Sequence, residues 1–353
     1  MRFTRKLPPN CLFRSESPPR TPMIDGKVAG RLDLSALEGE DIEGLTASLL
    51  QRDNAAMAYD QMLTNSLAYY ASEMIMGPMQ EPYMGRFIAG RHHIHWDEAI
   101  QNHDRILTRA ARDHGKTFFF TVSYPIWKAD KRSPGSLGYI FSASQELAEE
   151  RMEETRQQIE DNPKLQHLIP IEGTRNWSKR EIRTSTGSKI RARGYGVRVR
   201  GGHPWYIVCD DVLKDEHLYS ETQRGRATDY FFSAITNMVT PGGQLIVDGT
   251  PMHFADVYGQ IEKTGTYHVI NFPARDKAGT PLFPERYGDA ALLAKKKEIG
   301  SARFAREFMC RPMTDEEWRE KRREFLGYQA RKRRDEWEKQ REAVLASHAC
   351  GES

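Results

Sequence analysis

A glycine, a lysine and a threonine stand together at Gly115–Lys116–Thr117, between a predicted strand at Arg105–Arg109 and a predicted helix from Phe118. At such a junction the glycine admits a phosphate group, the lysine reaches the β- and γ-phosphates, and the threonine hydroxyl can hold Mg²⁺. The amides and the dipole at the start of the helix favour the same anion. The tripeptide therefore indicates a nucleotide-phosphate site, with a solvated turn before an ordinary helix as the alternative.

Two aspartates follow a second predicted strand. Trp205–Cys209 is a run of apolar residues, and Asp210 and Asp211 stand at its exit. In P-loop ATPases the first such acid holds Mg²⁺ through water, and the second orients the attacking water. Two acids at a strand end also occur in simple turns. Together with the Gly-Lys-Thr tripeptide they favour a site that hydrolyses a nucleotide.

Two further strands end in small polar turns. Gly243–Val247 leads to Thr250, which would either sense the γ-phosphate from a neighbouring strand end or cap the next helix. Gly138–Ser142 leads through Ser144, a ligand candidate or a helix cap, into a charged helix over Gln145–Asp161. Repeated strand–turn–helix units predict a mostly parallel α/β sheet flanked by helices, with ligands at the carboxyl ends of the strands.

Residues 175–200 are strongly basic and contain a single acid, Glu181. Residues 184–190 predict a hairpin turn with a strand on either side. In a near-neutral chain, such a segment favours contact with a polyanion, either DNA phosphates or nucleotide phosphates, over a solvated basic face. The basic residues are Arg175, Lys179, Arg180, Arg183, Lys189, Arg191, Arg193, Arg198 and Arg200.

Three histidines, His92, His93 and His95, precede the phosphate-binding turn. No cysteine or carboxylate stands at metal-ligand spacing from them, so we expect packing or surface positions instead of a metal site. Trp96 fits either the core or a stacking wall for a nucleotide base.

Composition sets the broad class of the protein. The chain has 353 residues, of which 39% are hydrophobic, and a formal net charge of +3, which neither requires nor excludes a nucleic-acid partner. Its four scattered cysteines fit no metal spacing and indicate reduced thiols in a cytosolic protein. No apolar run approaches the ~20 residues of a membrane span, and the N-terminus lacks the apolar core of a signal peptide. We expect a soluble protein that is not secreted.

The sequence predicts four regions. Residues 1–40, rich in Pro, Arg and Ser, predict a disordered arm, and residues 41–90 a helical lead-in that stops near Gly77–Pro78. Residues 91–313 predict the nucleotide-binding α/β domain. Residues 314–353 alternate basic and acidic side chains and predict a charged helical tail.

Together these segments resemble the ATPase domain of the large terminase subunit of tailed phages, a DNA-packaging motor. The family's phosphate loop has the form Arg-x-x-Gly-Lys-Thr/Ser, matched here by Arg112–Thr117, so Ala110 in place of the usual first glycine is expected. Ile207–Asp211 matches the family's Walker B strand, with Asp where most members have Glu, and Gly249–Pro251 matches its coupling motif. The resemblance runs from about residue 80 to Met313 and implies a P-loop NTPase fold of the RecA/ASCE type.

The resemblance implies that the site binds ATP and Mg²⁺. Thr117 and Asp210 would hold Mg²⁺, Asp211 would orient water, and Thr250 would couple hydrolysis to movement. Arg200, or else Arg198, would be an arginine finger that completes a neighbouring subunit's site. The residues implied in phosphate binding are Ala111, Arg112, Asp113, His114, Gly115, Lys116 and Thr117.

The implied partners are double-stranded DNA, a portal protein and a small terminase subunit. A homo-oligomeric ring would dock on the procapsid in the cytoplasm of a bacterial host. Family members continue into an RNase H-like nuclease domain, whereas residues 314–353 predict a charged helix, so we expect the nuclease to be absent or separately encoded. Two alternatives stay open: another P-loop DNA motor of the helicase kind, and a non-catalytic DNA-binding or assembly protein with a decayed ATPase core.

Overall fold

The computed structural model describes most of the chain after residue 38. The chain divides into two units, Met1–Ala56 and Met57–Ser353, and the described part of the first unit belongs to a helix that begins at Gly39. The predicted disordered arm otherwise lies outside the described residues. These are 39–77, 85–171, 177–197, 199, 202–214, 216–217, 220–312, 319–320, 323, 327 and 329–338.

Seven strands form one sheet in the second unit. They are β1 (Arg105–Ala110), β2 (Leu137–Ser142), β3 (Glu181–Arg183), β4 (Lys189–Gly194), β5 (Tyr206–Asp210), β6 (Gln244–Gly249) and β7 (His268–Phe272). Their order is β3–β4–β2–β5–β6–β1–β7, and every neighbouring pair is parallel except β3–β4. The predicted mostly parallel α/β sheet and the predicted hairpin are therefore confirmed.

Helices flank this sheet, and residues 116–132 form one helix with two π-helical stretches, Phe118–Ser123 and Lys128–Arg132. The helices are α1 (Gly39–Asn65), α2 (Leu67–Met74), α3 (Arg91–Asn102), α4 (residues 116–132), α5 (Gln145–Asp161), α6 (Glu221–Tyr230), α7 (Val257–Lys263), α8 (Asp289–Ile299) and α9 (Ser301–Glu307). The predicted lead-in helix is two helices, because Ser66 ends α1 and caps α2 by accepting a hydrogen bond from Tyr69 N at 3.0 Å. None of the described helices is long and apolar enough to cross a bilayer.

The central strands bury both faces. Alternate residues point to opposite sides of a strand, so Ile106 and Val208 pack with helices α2–α5. Leu107 and Ile207 pack on the other face with α7 and with the π-helical continuation of α6. Burial on both faces explains why these strands are continuous apolar runs in the sequence. Trp96 is fully buried and belongs to the first of these cores, so it is not a stacking wall for a base.

Candidate functional site

The site lies at the carboxyl ends of three adjacent strands. Strand β6 separates β1 from β5, and its Asp248 is the register partner of Asp210. Helix α4 begins directly after the loop that follows β1. Thr117 Oγ1 donates to Asp210 Oδ1 at 3.0 Å, and Lys116 Nζ lies 3.5 Å from Thr250 Oγ1. The structure therefore brings together segments of the chain that the sequence separates widely.

Lys116 is folded back onto its own loop. Its ammonium group donates to the carbonyl oxygens of Ala110 at 2.8 Å and Ala111 at 3.3 Å, and the residue is only 7% exposed. To hold a phosphate, the ammonium group must exchange these carbonyl oxygens for phosphate oxygens. Three rotatable donors on a flexible stem make that exchange possible without new chemistry.

Gly115 fits the loop for two reasons. Its φ of +83° lies in the left-handed region that favours glycine. A Cβ at this position would lie 2.8 Å from Nε2 of His93, so any larger residue would collide with helix α3. The helix beneath the loop thus sets how closely the loop can be packed.

A pair of buried acids stands beneath the start of α4. Burial raises the pKa of Asp210, and the neighbouring charge of Asp211 raises it further. Burial also raises the pKa of Asp248 well above its ordinary value, with the charge of Asp210 as the second cause. No other donor lies within hydrogen-bond distance of the Asp248 carboxyl oxygens among the described residues. A protonated Asp248 that donates to Asp210 satisfies both groups.

Arg151 on α5 lies beside the same acid. Its Nε is 3.6 Å from Asp210 Oδ2, and its Nη1 donates to Glu154 Oε1 at 2.5 Å. The positive charge opposes the rise in the Asp210 pKa that burial causes. Neither Arg151 nor Asp248 was among the predicted site residues. Asp248 could have been found from its place directly before Gly249–Thr250, whereas no local pattern marks Arg151 among the charges of α5.

Asp211 ties two strand ends together. It has a φ of +47°, and its Oδ1 accepts a hydrogen bond from the backbone N–H of Thr250 at 3.1 Å. Its own N–H donates to the carbonyl oxygen of Asp248 at 3.1 Å. Thr250 does not cap the following helix, since Asp256 caps α7 by accepting from Gly259 N at 3.0 Å. A shift of Asp211 would therefore move Thr250 directly.

The exposed side of the loop is held by the segment around α8 and α9. Arg112 Nη1 donates to Glu307 Oε2 at 3.2 Å, and Asp113 Oδ2 accepts from the Tyr287 hydroxyl at 3.1 Å. The His114 ring stacks on Tyr287 with centroids 5.3 Å apart. Arg112, predicted to contact phosphate, is instead paired with Glu307. Sequence reasoning missed Tyr287 and Glu307, because nothing local connects them to the loop.

The buried side of the loop rests on helix α3. His92 Nε2 donates to the carbonyl oxygen of His114 at 2.8 Å, and His93 Nδ1 accepts from the backbone N–H of Gly90 at 2.9 Å. Burial lowers the pKa of His92 to about 3 and that of His114 to about 4, so both are neutral at physiological pH. The packing positions expected for His92 and His93 are confirmed, and His95 is exposed.

The oxygen donors at this site suit Mg²⁺. Mg²⁺ prefers oxygen ligands and usually binds through one or two carboxylates together with substrate phosphates and water. Thr117 and Asp210 offer a hydroxyl and a carboxylate side by side. Among the described residues, no group of three or more His, Cys, Asp or Glu side chains could hold a metal alone. A metal here would therefore depend on the nucleotide for most of its ligands.

Some features lie away from this cluster. Arg198 and Arg200, the predicted arginine-finger residues, are outside the described residues. Two open clefts, of about 460 and 390 Å³, lie between α3 and β7 and beside α6. Neither is lined by Lys116 or Asp210. The candidate site thus consists of a loop and strand ends, with its lysine enclosed.

Comparison with known proteins supports the fold. No protein-family model and no curated protein sequence matches the chain. The large terminase of bacteriophage HK97 matches 69% of this chain with a TM-score of 0.50 and 14% identity. The match covers 54% of the HK97 protein, so this chain spans about half of its length.

Two further solved structures have similar descriptions. The large terminase ATPase domain of Thermus phage P74-26 matches 61% of this chain and 92% of that domain, at a TM-score of 0.44 and 15% identity. A large terminase from a thermophilic bacteriophage, in complex with ADP, matches 60% of this chain and 48% of its own, at 0.40 and 12%. With its seven-stranded, mostly parallel sheet, the chain has the fold of the phage large terminases over their ATPase region.

Proposed function

We propose that this chain is a large-terminase ATPase that uses ATP hydrolysis to move double-stranded DNA into a procapsid. The observation that carries the proposal is the meeting of Lys116, Thr117, Asp210 and Thr250 at adjacent strand ends. A loop amide cluster, a lysine and a buried carboxylate are the parts that phosphoryl transfer to water requires. The likeness to the HK97 terminase supports the same proposal at the level of the fold.

Each residue has a distinct part in this mechanism. Lys116 leaves the carbonyl oxygens of its loop and binds the β- and γ-phosphates, and Arg112 leaves Glu307 to bind the same anion. Thr117 and Asp210 hold Mg²⁺, which neutralises charge on the transferred phosphoryl group when it is bound. Asp211 orients the attacking water. Because its carboxylate also holds the Thr250 N–H, its movement is passed to the turn after β6.

Partners follow from the same proposal. The motor would contact double-stranded DNA, a portal protein and a small terminase subunit, and would act as a homo-oligomeric ring on the procapsid. An arginine from a neighbouring subunit, with Arg200 as the candidate, is typically worth about 10³–10⁵ in rate in such ATPases.

The test is a comparison of Lys116→Ala with Lys296→Ala, an exposed lysine on α8. We expect Lys116→Ala to lose ATP hydrolysis by at least about 10²-fold, since one preorganised charge at the phosphates disappears. ADP with Mg²⁺ should raise the melting temperature of the parent and of Lys296→Ala, because a ligand that binds only the folded state stabilises it. Hydrolysis by Lys116→Ala at the parental rate would show that the site is elsewhere.

The enclosure of Lys116 favours one other candidate, a non-catalytic DNA-binding or assembly protein with a decayed ATPase core. In that case neither ADP nor ATP would shift the melting temperature of the parent protein. A helicase-like motor would hydrolyse ATP in the presence of DNA but would not package DNA into empty capsids that carry a portal. Packaging by the purified chain with such capsids therefore separates the two motor proposals.

A further inference from the structure

The hairpin at one edge of the sheet presents a basic face. In the antiparallel pair of β3 and β4, Arg183 lies opposite Lys189 and Glu181 lies opposite Arg191. The alternate residues Ile182 and Ile190 are buried in the core that contains α5, so the charged residues share the opposite face of the strands. We call this the hairpin face; it consists of Glu181, Arg183, Lys189, Arg191 and Arg193.

Glu181 fixes two of the cations without neutralising the face. Its Oε1 accepts from Arg183 Nε and its Oε2 from Arg191 Nε, each at 2.6 Å. Lys189 and Arg193 form no ion pair with a described carboxylate. The guanidinium carbons of Arg191 and Arg193 lie 5.8 and 6.0 Å from the centroid of the Tyr139 ring, which holds both cations by cation–π attraction. Four cations thus stand against one acid.

The position of the hairpin decides between its two conceivable anions. Strands β2, β5 and β6 lie between the hairpin and β1, which carries the phosphate-binding loop. The hairpin face therefore cannot reach a nucleotide on the loop of its own chain. DNA is the other polyanion, and same-face side chains on a strand are about 6.6 Å apart, which suits successive phosphates along one DNA strand.

We propose that the hairpin face binds the phosphate backbone of duplex DNA. The inference rests on the proposed function, because it names the surface on which that motor would hold its DNA. Phosphate contacts of this kind are independent of base sequence, as a packaging motor requires.

Helix α5 joins this face to the nucleotide site. Gln145 Oε1 accepts from the backbone N–H of Gly194 at 3.0 Å, and Glu149 pairs with Arg180 at 2.6 Å, so the helix grips the hairpin at two points. Two turns from its start, the same helix carries Arg151 to Asp210. DNA on the hairpin face and Mg²⁺ at Asp210 would therefore act on opposite ends of one short rigid element.

The test is the salt dependence of DNA binding by the full chain. Lys189→Gln and Arg193→Gln each remove one charge from the hairpin face, and Lys296→Gln removes one from α8 beyond the opposite edge of the sheet. A fluorescein-labelled duplex of random sequence is titrated at salt concentrations from about 50 to about 200 mM. Each lost phosphate contact should reduce the slope of log K against log salt by about 0.9, and Lys296→Gln should keep the parental slope.

The outcomes separate this inference from the proposed function. Slopes for Lys189→Gln and Arg193→Gln equal to that of Lys296→Gln would overturn the hairpin face, even if the parent binds DNA and hydrolyses ATP. Reduced slopes together with an unchanged melting-temperature shift by ADP would support it, because the nucleotide site is then intact. Reduced slopes would support it also if Lys116→Ala hydrolyses ATP normally, a result that removes only the assigned ATP site. A parent protein that does not bind duplex DNA overturns both proposals.

Discussion

At the scale of single residues, Arg151 shows how the site tolerates a buried carboxylate without a metal. Asp210 is only 2% exposed and receives a hydroxyl hydrogen bond from Thr117, yet its charge still needs compensation. Arg151 supplies a positive charge at 3.6 Å, and Glu154 offers the guanidinium a second partner. A cation that binds at Asp210 would compete with Arg151, which could then stay with Glu154.

We therefore expect Arg151→Gln to destabilise the nucleotide-free protein by about 1–3 kcal/mol, because it leaves Asp210 less compensated. Mg²⁺ with ADP should restore the loss, so its shift of the melting temperature should be larger in Arg151→Gln than in the parent. The control is Arg156→Gln on the same helix, whose guanidinium pairs with Glu153 and Glu160 at the surface. Equal melting temperatures for the two variants without nucleotide would contradict this role.

At the scale of elements, the phosphate-binding loop is held from two sides. Helix α3 supports its buried side through His92, and the α8–α9 segment holds its exposed side through Tyr287 and Glu307. The support from α3 depends on neutral imidazoles in an apolar setting. Because burial favours the uncharged form, the folded protein keeps these histidines neutral far below their ordinary pKa.

Acid should weaken this support in a defined window. The pKa of His92 is about 3 when folded and 6.5 when unfolded, so between these values the unfolded chain binds a proton that the folded one excludes. Stability therefore falls as pH drops below 6.5, by at most about 1.4 kcal/mol per pH unit for this residue. His92→Gln keeps a donor for the His114 carbonyl but does not titrate. Its melting temperature should fall less between pH 7 and about pH 5 than that of His95→Gln, an exposed control; parallel curves would refute the assignment.

At the scale of the whole molecule, the sheet order joins the ends of the chain to the site. The segment after β7 returns to the loop, where the carbonyl oxygen of Glu307 accepts from Arg112 N at 2.8 Å. Phe304 and Phe308 pack with Ala111 in a small separate core. The nucleotide site therefore includes residues almost two hundred positions after its lysine.

Two truncations test this dependence. Removal of residues 314–353 should leave the ADP-induced shift in melting temperature unchanged, since the contacts of α9 with the loop remain. Removal of residues 301–353 also deletes Phe304, Glu307 and Phe308, and the shift should be lost or strongly reduced. The shorter deletion is the control for the longer one, and circular dichroism checks that both retain the helices and the sheet. A full ADP shift without α9 would show that the loop does not need it.

Much of the candidate site was accessible from local sequence. Lys116, Thr117, Asp210 and Thr250 each stand at the end of an apolar strand, and parallel strands place such ends at one edge. Their convergence could therefore be predicted without the structure. The hairpin around residues 184–190 was equally local. In contrast, Arg151 is one charge among many on α5, and only the packing of that helix beside β5 brings it to Asp210.

The sequence by itself determined which segments are strands, which turn can take a phosphate and which charges crowd on one hairpin. These properties depend on neighbours within a few residues, such as apolar runs, glycine and alternation. Only the tertiary structure decided that β6 separates β1 from β5, that Asp248 shares the pocket of Asp210 and that Glu307 holds Arg112. Such contacts join distant parts of the chain, and strand order and packing of the entire core select them.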